Sequence, residues 1–311
     1  MDLSIANSEP FVLFHDFLEE FDRNIKVTYG ALALTRRMSP NSISNAGNRL
    51  VRLPTEDEPW GPDTKWRNLD TVVSNSKLFI AQIGLMRIFS AFEDFLIGIK
   101  AEYDRFEQGV LKKGSPTASA GARDGVGLRQ ICRSIKMPIF SLDPILPIFD
   151  YFVVLRNCLA HRSGRASLAL VTSSQSLPLR LAMKNWPVRP GRTLPELPEI
   201  VHGKQIPLLA RHAIFAGLVC RELAKLVNDY LLAHLGAKGI VFMAAHHSLL
   251  KEEPLVNSPR KDAEAVVNEM LSGRYRVRMK GGHEAMPILK DLARWADCRL
   301  RFRQLYAAEL S

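Results

Sequence analysis

Apolar side chains recur at intervals of three and four along most of this chain, and the longest such run predicts its longest helix. Leu78, Ala81, Leu85, Ile88, Phe92, Phe95, Ile99, Tyr103 and Phe106 form one stripe, which assigns a helix to about 74–108. The same spacing predicts an amphipathic helix, or a pair, over 8–38, with Ser8 as N-cap and Glu9 and Pro10 in the first turn. A third amphipathic stretch covers 206–235 through Leu209, Ala213, Val219, Leu223, Leu226, Tyr230 and Leu231, and ends at Gly236. Between these lies a mostly apolar helix without glycine, carrying Ile148, Phe149, Phe152, Val153, Leu155 and Leu159. Asp143 suits its N-cap, Pro144 its first position, Pro147 is early enough to be tolerated, and Ser163-Gly164 stops it. A short helix is expected over 128–136.

The remaining segments break that period. Prolines across 171–206 predict a hairpin or an extended crossover. Strict alternation in Arg274-Tyr275-Arg276-Val277-Arg278-Met279-Lys280 predicts a strand, followed by a final helix over 287–309. Residues 39–73 are polar and irregular, a linker or wrapping arm, and 111–127 are rich in Gly, Ser and Ala, as mobile loops are. The expected fold is mainly α, with a small mixed α/β C-terminal appendage. It divides into an N-terminal helical and irregular extension (1–73), a central helical domain (74–236) and a basic C-terminal α/β unit (237–311).

Composition narrows the class. With 311 residues, 47% of them hydrophobic, the chain can build one large or two modest cores. No stretch approaches the roughly 20 uninterrupted apolar residues of a membrane helix, so no membrane partner is expected. The polar opening after Met1 predicts no secretory signal. Cys132, Cys158, Cys220 and Cys298 stand alone, as reduced and mostly buried thiols of a cytoplasmic protein do. The net charge of +10 serves solubility at least, and at most attracts a polyanion. The excess is uneven: 274–303 hold nine Lys or Arg against three acids. In the predicted strand, Arg274, Arg276, Arg278 and Lys280 share one face. That face is either a solvated edge guarded against aggregation or a stripe that tracks a nucleic-acid backbone.

The candidate chemistry sits at the end of the 143–164 helix, in Arg156-Asn157-Cys158-Leu159-Ala160-His161. Asn157 and His161 are one turn apart on one face, Arg156 adjoins Asn157, and Arg162 and Arg165 come directly after. A guanidinium, an amide and an imidazole together suit holding a phosphodiester and moving a proton beside it. The simpler reading is a helix C-terminus whose carbonyls are capped by Arg and His. A second Arg-x4-His pair, Arg278 and His283, spans Gly281-Gly282, which a regular helix would not choose.

The stretch LRNCLAH with its basic tail resembles the signature of HEPN domains: an Arg, a polar residue that is often Asn, and a His a few positions on. Ser90 to Leu96, with Glu93, is similar to the acidic position in the preceding long helix of that family. Leu194 to Leu235 resembles the region C-terminal to the motif in the RiboL-PSP-HEPN branch, and the likeness covers 74–236. It implies a HEPN-like helical bundle, a homodimer with its motif helices facing each other, and RNA as substrate. In that frame Arg156, Asn157 and His161 are catalytic and no metal or other cofactor is needed. Glu93 either orients the site or is a solvated acid beside Lys100. Arg162, Arg165, Arg274, Arg276, Arg278 and Lys280 would contact nucleic acid. Family habit adds a toxin–antitoxin, stress or antiviral defence setting, with an antitoxin or other regulatory protein as partner. The alternative is a non-catalytic dimeric module that binds RNA or nucleotide through the same helix.

Other sites are weaker. His246 and His247 are neighbours without a Cys or acid at ligand spacing, so they read as ordinary residues. Gly121, Gly125 and Gly127 are not preceded by a strand and lead into no Lys-Ser/Thr, so they make no phosphate loop.

Overall fold

The computed structural model describes residues 5–38, 69–108, 127–188, 193–252, 254, 262–277 and 285–306. Among the described residues there are ten α-helices: α1 (Glu9–Met38), α2 (Leu69–Phe106), α3 (Leu128–Ser134), α4 (Leu146–His161), α5 (Leu168–Ser174), α6 (Leu177–Lys184), α7 (Ala210–Ala245), α8 (Ala263–Gly273), α9 (Ala285–Asp291) and α10 (Trp295–Tyr306). A 3-10 turn (Ile139–Leu142) and a π turn (His246–Leu250) join them. Among the described residues there is no strand, and the one β contact is an antiparallel bridge between Arg165 and Gln205. The fold is therefore mainly α. No helix among the described residues is long and apolar enough to cross a membrane.

The chain forms two compact units. The first comprises Met1–Asp16, Ser90–Asp143 and Arg221–Ser311; the second comprises Phe17–Phe89 and Pro144–Cys220. Neither is continuous in sequence, so the linear division into 1–73, 74–236 and 237–311 does not coincide with them.

In the second unit the apolar stripe of α2 is buried at Ala81, Leu85, Ile88 and Phe89. Phe89 meets Phe149 of α4 with ring centroids 5.6 Å apart, and Phe152 meets Phe215 of α7 edge-on at 5.8 Å. Gly84 lets α1 come close, since a Cβ there would sit 3.0 Å from the Phe21 ring. α5 and α6 pack on α4; Ser167 and Ser176 cap them by accepting from the Leu170 and Leu179 N–H groups. These two helices take the first part of the region expected to be a hairpin or crossover, whereas its described end, 193–206, carries no helix. Pro178 sits in the first turn of α6, where it supports a helix instead of breaking one.

In the first unit Phe14, Phe92 and Phe95 cluster at 5.6 to 5.8 Å between ring centroids. Ser8 caps α1, accepting from the Phe11 N–H at 3.4 Å. α7 breaks at Gly236 (φ 55, ψ −169), the position at which its periodic pattern ends. The C-terminal region corrects two expectations. Arg274 to Val277 form a turn after α8, not a strand: Arg276 has a left-handed φ of 53, incompatible with a ladder. Their alternation comes from burial of Tyr275 and Val277 within that turn. The expected final helix is two, because Ala293 at φ 54 interrupts it between α9 and α10. Of the expected linker (39–73), 39–68 lie outside the described residues and 69–73 are instead the start of α2; of the expected Gly/Ser/Ala loop (111–127), only Gly127, the N-cap of α3, is described.

All four cysteines are free and buried, Cys132 and Cys298 in the first unit, Cys158 and Cys220 in the second. Burial pushes the Cys132 thiol up to about 11 and the Cys298 thiol up to about 12.

Candidate active site

Helix α4 carries the motif, and both its ends are shaped by local chemistry. Its N-cap is Ile145, which makes no side-chain cap, and Pro147 occupies the first turn. Asp143 instead closes the 3-10 turn before it, donating its N–H to the Phe140 carbonyl at 3.2 Å. The start therefore lies two residues later than the Asp143–Pro144 signal suggests. Leu155 and Cys158 are buried on the inner face. The next positions round the helix point outward, so Asn157 and His161 are exposed and Arg156 is half-buried.

The C-terminal stop falls at the expected glycine. The Arg162 and Gly164 N–H groups both donate to the Cys158 carbonyl at 3.1 Å, and Gly164 adopts φ 77, the reverse turn that closes many helices. A Cβ on Gly164 would lie 2.5 Å from Gln205 Nε2 and 2.9 Å from Gln82 Nε2, ends of flexible side chains that would have to shift, so it is chiefly the conformation that calls for glycine. Beyond it the chain pairs with 203–206. Ala166 donates to the Lys204 carbonyl, Gly203 to Ala166 and Ile206 to Gly164, each at 2.9 Å. The Arg165 guanidinium also donates to the Gly203 carbonyl at 3.3 Å.

This pairing changes the site's membership. Exposed His202 and Lys204 are brought beside the basic tail, Arg162 and Arg165, which are exposed as well. Nothing in their local sequence signals this, because it depends on two segments 38 residues apart meeting. Within the motif, Arg156 Nη1 donates to Asn157 Oδ1 at 3.3 Å. The arrangement is a rim of cations around an exposed imidazole and amide at a helix end, able to hold a phosphate while the imidazole exchanges a proton. Large apolar side chains flank it: Leu168 of α5 and Leu177 and Leu181 of α6 are 66%, 59% and 50% exposed.

The other candidates are placed differently. Glu93 is half-buried on α2 in the stretch belonging to the first unit, whereas the motif belongs to the second. Lys100, its suggested solvated neighbour, pairs with Asp104 instead. Arg274 is not a solvent-facing contact of a basic stripe. It donates to both oxygens of Glu9, at 3.0 and 2.6 Å, and lies 3.6 Å from Asp16. The Glu9 hydrogen bond, chiefly, raises its pKa further. Arg276 is exposed, and Arg278 and Lys280 lie outside the described residues. His247 hydrogen-bonds Glu102 at 3.1 Å within the first unit. Burial, then the charge of Arg105, pushes its neighbour His246 down to about 3. No group of three His, Cys, Asp or Glu side chains suited to a metal ion occurs among the described residues.

The chain matches no protein-family model, no curated protein and no solved structure.

Proposed function

We propose that the chain is a metal-independent endoribonuclease of HEPN type, working as a two-fold dimer. The observation that carries this reading is the outward projection of Asn157 and His161 beside Arg156 at the Gly164-stopped end of α4. One set of these groups is too few to cleave a phosphodiester alone, and an isologous contact brings two together. The exposed Leu168, Leu177 and Leu181 beside α4 supply the apolar surface that such a contact would cover.

In this mechanism one His161 imidazole accepts the 2′-hydroxyl proton as that oxygen attacks the adjacent phosphorus. The bond from phosphorus to the 5′-oxygen breaks, and the second His161 protonates the departing oxygen. The products are a 2′,3′-cyclic phosphate and a 5′-hydroxyl. Arg156 holds the phosphate and offsets the charge that builds on it, Asn157 orients phosphate or ring, and Arg162, Arg165 and Lys204 guide the strand. DNA, lacking the 2′-hydroxyl, is not cut. An antitoxin or another regulatory protein is the partner class that this reading brings with it.

One observation favours a non-catalytic RNA-binding module instead: among the described residues nothing hydrogen-bonds the His161 ring to orient it, as catalytic bases usually require. Purified chain incubated with total RNA and EDTA separates the two. The enzyme should yield discrete fragments ending in cyclic phosphate, lost in His161→Ala and Arg156→Ala while melting temperature stays within a few degrees. Activity regained on mixing those two variants would show residues of both subunits in one centre. Intact RNA with a mobility shift would establish the binding module.

A further inference from the structure

A cavity of about 260 Å³ opens in the first unit and takes no part in the chemistry above. The start of α1, Arg221 and Lys225 on α7, and Arg276 line it. We propose that it binds a nucleoside phosphate, with the base against Phe11 and His15 and the phosphate on Lys225 and Arg276.

The walls are held by buried polar contacts. The Asn7 N–H donates to the Tyr275 carbonyl at 2.9 Å, and the Ser8 N–H donates to Asn228 Oδ1 at 2.9 Å. Ser8 and Asn228 are both buried. The two acids on the lining are offset, Asp16 by Arg274 at 3.6 Å and Glu222 by Arg221 at 3.7 Å. Among the described residues Lys225 and Arg276 make no ion pair. Arg221 and Lys225 stand one helical turn apart and so share a face. Arg276 holds φ 53, a conformation costly for a side chain of its size. The turn around it is pinned by the Asn7–Tyr275 bond and by the Val277 N–H to the Leu271 carbonyl at 2.9 Å. Strain kept in this way is a frequent mark of a ligand-facing residue.

The donor set selects the ligand class. The Phe11 and His15 rings, 6.4 Å apart and inclined at 52°, offer an aromatic wall to a flat heterocycle, and two cations suit a phosphate. The Asn7 amide can both donate and accept at a base edge, and carboxylates accept from ribose hydroxyls. An inorganic anion would use neither the rings nor the acids, and an acidic peptide would leave the rings unused. The volume lies just below the ~300 Å³ at which drug-sized pockets begin, so one nucleotide fits and a folded RNA does not. The same chemistry is offered by a free nucleotide and by the 5′-phosphorylated end of an RNA strand. No lining residue is Arg156, Asn157 or His161, so this site stands or falls apart from the ribonuclease reading.

Calorimetric titration of the full chain tests it, using adenosine 5′-monophosphate, adenosine, inorganic phosphate, and a short RNA with a 5′-phosphate or a 5′-hydroxyl. The nucleotide should bind, and adenosine and phosphate alone should each bind at least about tenfold more weakly. Combining Arg276→Gly with Lys225→Gln should weaken the nucleotide by about tenfold or more without lowering the melting temperature. Glycine suits the left-handed backbone, and position 225 is exposed on a helix, where glutamine is well tolerated. His161→Ala should bind the nucleotide as the parent does. Tighter binding of the mononucleotide than of either RNA assigns the site to a free nucleotide. Tighter binding of the 5′-phosphorylated RNA, lost with the 5′-hydroxyl, assigns it to a strand end. Absence of heat with both phosphorylated probes, or affinity unchanged in the double variant, overturns the proposal.

Discussion

Arg274 illustrates how one residue's role reverses when its partner is known. In sequence it is the first cation of an alternating stripe. In the fold it neutralises Glu9, whose carboxylate is only 3% exposed. Removing the guanidinium would strand that carboxylate, so Arg274→Ala should cost about 2 to 4 kcal/mol, read by chemical denaturation. A phosphate-contacting Arg would instead lose RNA affinity with stability unchanged. His212 makes a second residue-scale case. Its Nδ1 accepts the Leu209 N–H at 3.0 Å at the start of α7, which only the neutral ring can do. Burial first, and then Arg211, push its pKa down to about 4 from the usual 6.5. The folded state thus resists binding the proton that the unfolded chain accepts. The stabilisation is complete above about pH 6.5 and drains away toward pH 4, by on the order of 3 kcal/mol. His212→Asn, whose Oδ1 can replace Nδ1 as acceptor, should flatten that slope in denaturation series at pH 7, 5.5 and 4.5. His246, shifted the same way, should sustain the part that remains.

Among elements, the motif helix depends on its exit. Gly164→Ala would force a Cβ into φ 77, costing about 1 to 2 kcal/mol, and would crowd Gln205 and Gln82. Both crowding atoms are side-chain ends able to swing away, so the backbone cost should dominate. Adding Gln205→Ala should therefore rescue little of the lost melting temperature. This stop is legible in sequence, as are α1 and α2, because long apolar stripes, Ser8 and Gly164 are strong local signals. The α5–α6 region is not. Its helices are one to two turns long, and its prolines and serines, residues that equally favour loops, act here as N-terminal helix signals. The Arg274–Lys280 alternation misleads for another reason: a turn that buries Tyr275 and Val277 imitates a strand's period. Ala293 breaks the last helix without a glycine to announce it. Lys204 and His202 join the candidate site only through the 164–206 pairing, which no local pattern encodes.

For the molecule as a whole, cutting before residue 237 would not peel off an appendage. Residues beyond that point supply Tyr275 and His247, which hydrogen-bond buried Glu102 at 3.4 and 3.1 Å, and Arg274 for Glu9. A chain ending at Gly236 should leave two nearly inaccessible carboxylates, Glu9 at 3% and Glu102 at 1% exposed, without those partners. It is expected to aggregate or to melt well below the full chain. A truncated protein that melted like the parent would mean that the first unit is stable without its residues 237–311.

The placement of the cysteines has a practical consequence. Each unit carries two thiols sealed from solvent, Cys132 and Cys298 in one, Cys158 and Cys220 in the other. A thiol must be both exposed and ionised to be alkylated, so an alkylating reagent should leave the native protein unmarked. Labelling rates measured cysteine by cysteine in mild urea then become a pair of built-in clocks. They would time the opening of each unit separately, without a single substitution or added dye.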